Sequence, residues 1–387
     1  MTGFARDVVI LSTADWDNPF WTNKQHMALK LAERGHRVLY MDSLGLRRPQ
    51  ATGRDIARLK RRLGRGLAGA RWVRPDLWVI SPVALPLHGS AAADAVNRRL
   101  VALQMRAATK RLGFCKPTVL VYNPMTVDWL DALLPSQVVY HAVDDLAAIP
   151  GVPGQAIHLS EERLCQRADR AFTTSPALQA RLAAWAPDRS HMLPNVVDYP
   201  HFASGGAEPA DLTAIPHPRI GFVGALVDYK VDFALIEAVA RARPEWHWIL
   251  IGAVGEGQPD SLIPAWGALR NLHLLGPRPY ATLPAYLANI DVAVLPMRRN
   301  SYTEAMFPMK FFEYLAAGRP VVSTPLPALA AFGDLCRTAE EAAAFTDAIT
   351  RILEGDRPDP TSCAAAARRH SWNWRLDEME RLLGETP

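Results

Sequence analysis

The chain has 387 residues, 49% of them hydrophobic and 21% charged, with a net charge of +4. That length exceeds what one core usually serves and predicts two domains, and the composition excludes a disordered chain. So mild a charge gives no bulk indication of nucleic acid as a partner. Cys115, Cys165, Cys336 and Cys363 are scattered and form no CxxC pair, so neither a zinc site nor a disulfide framework is expected, and a reducing cytosol fits. The early apolar run, residues 8–11, is too short for a signal-peptide core. No apolar stretch is long enough to span a membrane, so any membrane contact is expected at the surface.

The elements follow in chain order. DVVILST (residues 7–13) is a β-branched apolar run and reads as a buried strand. NKQHMALKLAERGH carries apolar residues at helical spacing and stops at Gly35, and RVLYMDS is a second strand. This is a βαβ unit with strands buried on both faces, as in a parallel sheet. GRDIARLKRRLGRGLAGARWVRP (residues 53–75) then brings eight basic residues and one acid. Ile56, Leu59, Leu63 and Leu67 recur at helical spacing with Arg58, Arg61, Arg62 and Arg65 around them. The pattern predicts a basic amphipathic helix suited to an anionic membrane surface. No RNA-binding signature accompanies it.

PTVLVYN and VVYHAVDD are strands, and ADRAFTTSPALQARLAAWA reads as strand, turn and helix. Residues 203–219, rich in Gly, Pro and small polar residues, have the composition of a linker. A second series follows: strand RIGFVGAL, helix DFALIEAVARARP, strands WHWILIG and NLHLLG, helix LPAYLANI, strand DVAVLPM, helix MKFFEYLAAG, strand RPVVSTP and a last helix SWNWRLDEMERLL. The fold class is therefore α/β: two Rossmann-like doubly wound domains facing a central cleft, with ligands expected at the carboxyl ends of the strands.

MLPNVVDYPHF, IGFVGAL, LLGPRPYATLPAYLANIDVAVLP and PMKFFEYLAAGRPVVST occur in that order. Together they resemble a GT-B-fold glycosyltransferase of the large retaining family that uses nucleotide sugars, and are similar to its bacterial cell-surface polysaccharide branch. The resemblance implies an acceptor-binding N-domain (residues 1–202), a linker (203–219), a nucleotide-sugar-binding C-domain (220–365) and a last helix (366–387) that packs back on the N-domain. It implies a UDP-sugar or GDP-sugar donor, no further cofactor and a lipid-linked or saccharide acceptor. The expected place is the cytoplasm, peripheral on the inner face of the plasma membrane.

The resemblance places Glu313 on both ribose hydroxyls of the donor, where two carboxylate oxygens match two vicinal donors. Lys310, one turn earlier, shares its face and can meet the diphosphate. Read alone, KFFE would be a solvated pair on an amphipathic helix. The family's first glutamate is here Ala305, leaving the sugar contact to Glu304, to backbone groups or to another residue. Gly224 matches the glycine that lets backbone approach phosphate. Ala225 stands where relatives carry an arginine, and Lys230 is either their phosphate-binding lysine or a surface lysine at a helix start. Arg278 or Tyr280 can stack on the base, or LLGPRPY is simply a rigid proline-rich turn. No metal is required, and the acids of DWD (residues 15–17) fall in the acceptor domain.

On the acceptor side, Trp16, Asp17, Trp21, Asn23 and Lys24 replace a glycine-rich loop. One tryptophan is expected to plug the core and the other to form a sugar platform. Asp144 and Asp145 end a strand. One is the general base if configuration inverts, and both position the acceptor if it is retained. Asp145 is also a candidate N-cap for the residues that follow. The second functional class is a non-catalytic partner subunit of the same fold that binds sugar or nucleotide and transfers nothing.

Overall fold

Val8, Val9, Ile10 and Leu11 have no exposed surface, and the same holds for Val38 to Met41. Runs buried on both faces are what parallel strands require. A computed structural model of the chain describes residues 3–18, 21–45, 69–84, 91–255, 266 and 269–385. The chain divides into two units, Met1–Leu193 with Leu376–Pro387, and Pro194–Arg375.

The first unit is built on an eight-stranded sheet. Its strands are β1 (Asp7–Leu11), β2 (Arg37–Met41), β3 (Arg71–Arg74), β4 (Leu77–Ile80), β5 (Thr118–Val121), β6 (Gln137–Ala142), β7 (Arg170–Thr173) and β8 (Ser190–Met192). The order is β3-β4-β2-β1-β5-β6-β7-β8, and all neighbours are parallel except β3 on β4. The order reverses between β1 and β5, which pair as Val8↔Thr118 to Leu11↔Val121. Helix Ala91–Arg111 covers one face, with Val101 and Met105 packed among Val9, Leu39 and Ile80. Residues 376–384 of the final helix, Trp372–Gly384, belong to this unit. Arg34 meets Asp377 at 2.8 Å, and Arg170 donates to the carbonyl of Leu382 at 3.1 Å.

The expected basic helix is corrected in part. Residues 71–74 are the antiparallel edge strand β3, turned onto β4 at Pro75 and Asp76, where Asp76 takes φ 58°. Residues 71–74 lie beyond Leu67, the last position of the helical spacing, and the β-propensity of Trp72 and Val73 with the tight turn favours a strand there. Arg58, Arg61, Arg62 and Arg65 lie outside the described residues.

The second unit carries a six-stranded parallel sheet. Its strands are β9 (Arg219–Val223), β10 (His247–Ile251), β11 (Leu272–Gly276), β12 (Val292–Leu295), β13 (Val321–Ser323) and β14 (Arg337–Thr338). The order β11-β10-β9-β12-β13-β14 is the doubly wound order, with its switch between β9 and β12. Residues 203–219, of linker composition, lie inside this unit rather than beside it. Arg219 is buried, and its guanidinium donates to the carbonyls of Leu212 at 2.8 Å and Ile215 at 2.6 Å while meeting Glu208 at 2.5 Å. One buried cation thus fastens a stretch that has few apolar side chains of its own.

Candidate functional site

The charges in MKFFEYLAAG sit on the seven-residue helix Lys310–Ala316. Phe311, Phe312, Tyr314 and Leu315 are fully buried, with Phe311 and Phe312 packed against Phe307 and Phe332. The Val223 N–H, at the end of β9, donates to the Tyr314 hydroxyl oxygen at 2.9 Å, so helix and strand end are tied directly. The Asn195 amide donates to the Phe307 carbonyl at 2.7 Å and holds the approach to the helix. No side chain caps the helix start at Met309. Lys310 Nζ stands 2.7 Å from Glu313 Oε2, with the Glu313 side chain 6% and the Lys310 side chain 25% exposed. Burial pushes the Glu313 carboxyl up, and Lys310 and then His201 oppose it. This is a carboxylate balanced by one ammonium in a nearly dry setting, not a solvated surface pair.

Around it the second unit gathers further predicted residues. Tyr280 stacks on His201, with centroids 4.4 Å apart and planes 12° apart, and its carbonyl lies 3.0 Å from His201 Nε2. Burial raises the Tyr280 hydroxyl pKa, and the charges of Glu313 and Asp198 add to the rise. Tyr280, His201, Asp198 and Glu313 therefore form one electrostatic neighbourhood. Arg278 is engaged elsewhere, donating to Asp211 at 2.6 Å and to the Tyr286 hydroxyl at 2.7 Å.

At the switch between β9 and β12, Gly224 follows the first strand. A Cβ on Gly252, which follows β10, would lie 1.8 Å from the Gly224 carbonyl oxygen, so only glycine lets these two strand ends pass so closely. Lys230 Nζ stands 4.9 Å from the Tyr302 ring centroid and 5.4 Å from that of Tyr229. The Asn300 amide donates to the Tyr229 carbonyl at 2.7 Å, and the Arg298 N–H to that of Lys230 at 2.8 Å. The loops after β9 and β12 are thus stitched together, with Lys230 over two aromatic faces. Glu304 is half-buried, 3.9 Å from Arg299, while Ala305 is buried.

In the first unit, Trp16 is buried against Tyr40 and its backbone N–H donates to Asp42 Oδ1 at 2.7 Å. Burial raises the Asp42 carboxyl, and the hydrogen bonds from Ser81 and Trp16 oppose the rise. Trp21 is half-buried, 5.3 Å from both Trp16 and His26. Asp17 pairs with Arg71 at 2.7 Å on the surface. Asn23 and Lys24 are buried at the start of helix Asn23–Glu33, which Thr22 and Gln25 close as a capping box. Lys24 Nζ is 3.6 Å from Asp144 Oδ2, and 5.8 Å from the Tyr122 ring centroid. The structure thus brings Lys24, beyond β1, to Asp144, beyond β6, at the carboxyl side of the sheet. Asp145 accepts the Ala147 N–H at 3.2 Å as a cap and meets Arg181 at 2.8 Å. Arg181 also reaches Glu161 at 3.1 Å, which accepts the Tyr140 hydroxyl at 2.5 Å. Arg181, His201, Asn195, Gly252 and Tyr302 carry no spacing signal, because each acts on a residue far away in sequence.

Comparison with known proteins agrees with this architecture. Residues 217–355 match the family described as Glycosyl transferases group 1. Over 182 residues, 45% of this chain, the sequence is 31% identical to the putative teichuronic acid biosynthesis glycosyltransferase TuaH of Bacillus subtilis, and the match spans 44% of that relative. Sucrose-phosphate synthase from Thermosynechococcus elongatus superposes with a TM-score of 0.70 at 16% identity, covering 97% of this chain and 98% of that one. Anabaena HepE in complex with UDP-glucose superposes with a TM-score of 0.66 at 14% identity, covering 97% and 98%. The chain thus has the fold of these two proteins over nearly its whole length, and within it residues 217–355 are similar to the glycosyl transferases group 1 family.

Proposed function

We propose that the protein is a glycosyltransferase that moves a sugar from a nucleotide sugar to a lipid-linked or saccharide acceptor in the synthesis of a surface polysaccharide. The observation that carries this reading is the buried Glu313 carboxylate paired with the half-buried Lys310, on a helix fixed by Tyr314 to the end of β9 inside the matched region. On this reading Glu313 receives the ribose hydroxyls and Lys310 turns to the diphosphate, joined by Lys230, so that two ammonium groups balance the leaving charge without a metal. UDP is the favoured base carrier, since HepE is seen with UDP-glucose, and GDP is the second candidate.

Asp144 and Asp145 take different parts. Asp145 is held by Arg181 and by its own capping bond, which suits positioning. Asp144, 3.6 Å from the Lys24 ammonium and the more exposed of the two, is the better placed to meet an acceptor hydroxyl, as base if configuration inverts and as an orienting acceptor if it is retained. Trp21 offers the half-buried aromatic face for a sugar ring, and Trp16 is the core plug. A lipid-linked acceptor puts the protein at the cytoplasmic membrane surface, with the basic residues Arg58 to Arg65 toward anionic lipid. Among the described residues no helix is long and apolar enough to cross a membrane.

A second reading, a partner subunit that binds and does not transfer, is favoured by Ala225 and Ala305 in place of family side chains. Thermal unfolding with UDP-, GDP- and dTDP-sugars separates the two. A donor at 100 times its Kd adds about 2.7 kcal/mol to native stability, so one sugar nucleotide should raise Tm above the others. A Tm unmoved by every donor sinks the enzyme reading. A rise without release of nucleotide in the presence of membrane-lipid extract favours the partner subunit.

A further inference from the structure

Helix Ala91–Arg111 buries Val101, Met105 and Ala108, yet its outer face is not an ordinary polar one. Leu103 is 66% and Val96 49% exposed. Arg99, Arg106 and Lys110 are exposed between and beyond them. Val96, Arg99, Leu103, Arg106 and Lys110 follow a spacing of three and four, so they form one stripe along the helix. Residues 95–111 hold five basic residues and no acid. Arg98, on the flank, meets Asp128 at 3.6 Å. Among the described residues Arg99, Arg106 and Lys110 have no carboxylate within ion-pair distance.

A second observation extends the patch. Trp72 on the edge strand β3 is 63% exposed. It stands opposite Trp78 of β4, and residues directly opposite share a face of the sheet. Trp78 packs on Phe114, just beyond the helix, and with Ile80 joins the core that the helix covers. Trp72 therefore rises on the helix side of the sheet, at its rim.

We propose that this face, the outer stripe of helix Ala91–Arg111 with Trp72 beside it, lies on an anionic lipid surface. It rests on, and deepens, the membrane placement given under Proposed function, but uses different residues from Arg58 to Arg65. Charge complementarity selects the partner. A protein interface concentrates apolar residues at its centre and thins charges there, whereas here basic and apolar side chains alternate along one line. That alternation suits a bilayer boundary: the leucine and valine enter shallowly, and arginine and lysine stems lie along the apolar layer with their charges at the headgroups. An indole at the rim is the side chain that favours this boundary.

The test is co-sedimentation with vesicles of phosphatidylcholine alone and with phosphatidylglycerol added, at low salt, with UDP-glucose affinity measured by calorimetry on the same proteins. Wild type should bind the anionic vesicles only. Arg99→Gln/Arg106→Gln/Lys110→Gln should lower the partition coefficient by about tenfold or more. Trp72→Ser/Leu103→Ser should lower it several-fold. Arg241→Gln/Arg351→Gln, the same kind of charge change on exposed helices of the second unit, should leave it unchanged. Each variant should keep the wild-type Tm within a few degrees. Wild-type binding by either stripe variant, or loss only on changing Arg58, Arg61, Arg62 and Arg65 to Gln, overturns the assignment. So does a wild type that ignores anionic vesicles, which leaves the face to an acidic protein. UDP-glucose binding without vesicle binding removes this surface and keeps the transferase reading. Vesicle binding without UDP-glucose binding does the reverse.

Discussion

Glu313 shows how one residue type is made useful by its surroundings. A carboxylate in a nearly dry site holds its charge poorly, and the Lys310 ammonium 2.7 Å away is what keeps it available as a double acceptor. Glu313→Gln preserves size and removes charge. It should weaken nucleotide-sugar binding by about 1.5–3 kcal/mol, some tenfold to a hundredfold in Kd, with little change in Tm. Lys310→Met should weaken binding to a similar degree and also lower Tm, because it leaves a buried acid without its partner. Calorimetry with UDP-glucose and a melting curve for each variant check this. Equal affinity in wild type and both variants would remove the pair from the donor site. The pair is legible in the sequence because both residues lie in one short motif. Arg181 is not, since nothing near it in the chain announces that its guanidinium will reach Asp145 and Glu161.

At the level of elements, strands are easier to read than the segments between them. β1, β2, β5, β6, β9, β10 and β12 are apolar runs buried on both faces, and a short β-branched run of that kind fits little except a parallel strand. Helices Ala91–Arg111 and Gly154–Arg167 escape a reading by spacing, because a 3.6-residue period is blurred where outward positions are themselves apolar, as at Val96, Leu103 and Leu159. Residues 203–219 mislead in the other direction. Their composition speaks of a tether, but composition does not register a buried arginine that collects carbonyl oxygens from the same stretch. Arg219→Met should remove the guanidinium bonds to the Leu212 and Ile215 carbonyls and cost about 1–3 kcal/mol. The expected sign is faster proteolytic cleavage between residues 204 and 216, together with a lower denaturant midpoint. Cleavage at the wild-type rate would show that other contacts hold the segment.

For the molecule as a whole, acid should loosen the fold before the carboxylates are titrated. His191, His247, His273 and His370 are each held below the ordinary histidine value of 6.5, with burial the first cause in every case. Unfolded, these side chains take up protons that the native state refuses, so stability is fully present above the ordinary histidine value and falls as the pH drops through and below it. Asp42 and Glu313, whose carboxyls are raised, act in the opposite sense, and they do so nearer the carboxylate range. Urea midpoints at constant ionic strength should therefore decline between about pH 7 and pH 5, and a flat profile would contradict the burial of these rings. The division of the chain has a consequence for biogenesis. The second unit is one uninterrupted stretch, Pro194–Arg375, whereas the first needs both Met1–Leu193 and Leu376–Pro387. During synthesis the first unit must wait for its closing helix until residues 376–384 leave the ribosome. The later-made unit can therefore finish folding first, inverting the usual order in which domains mature from the N-terminus.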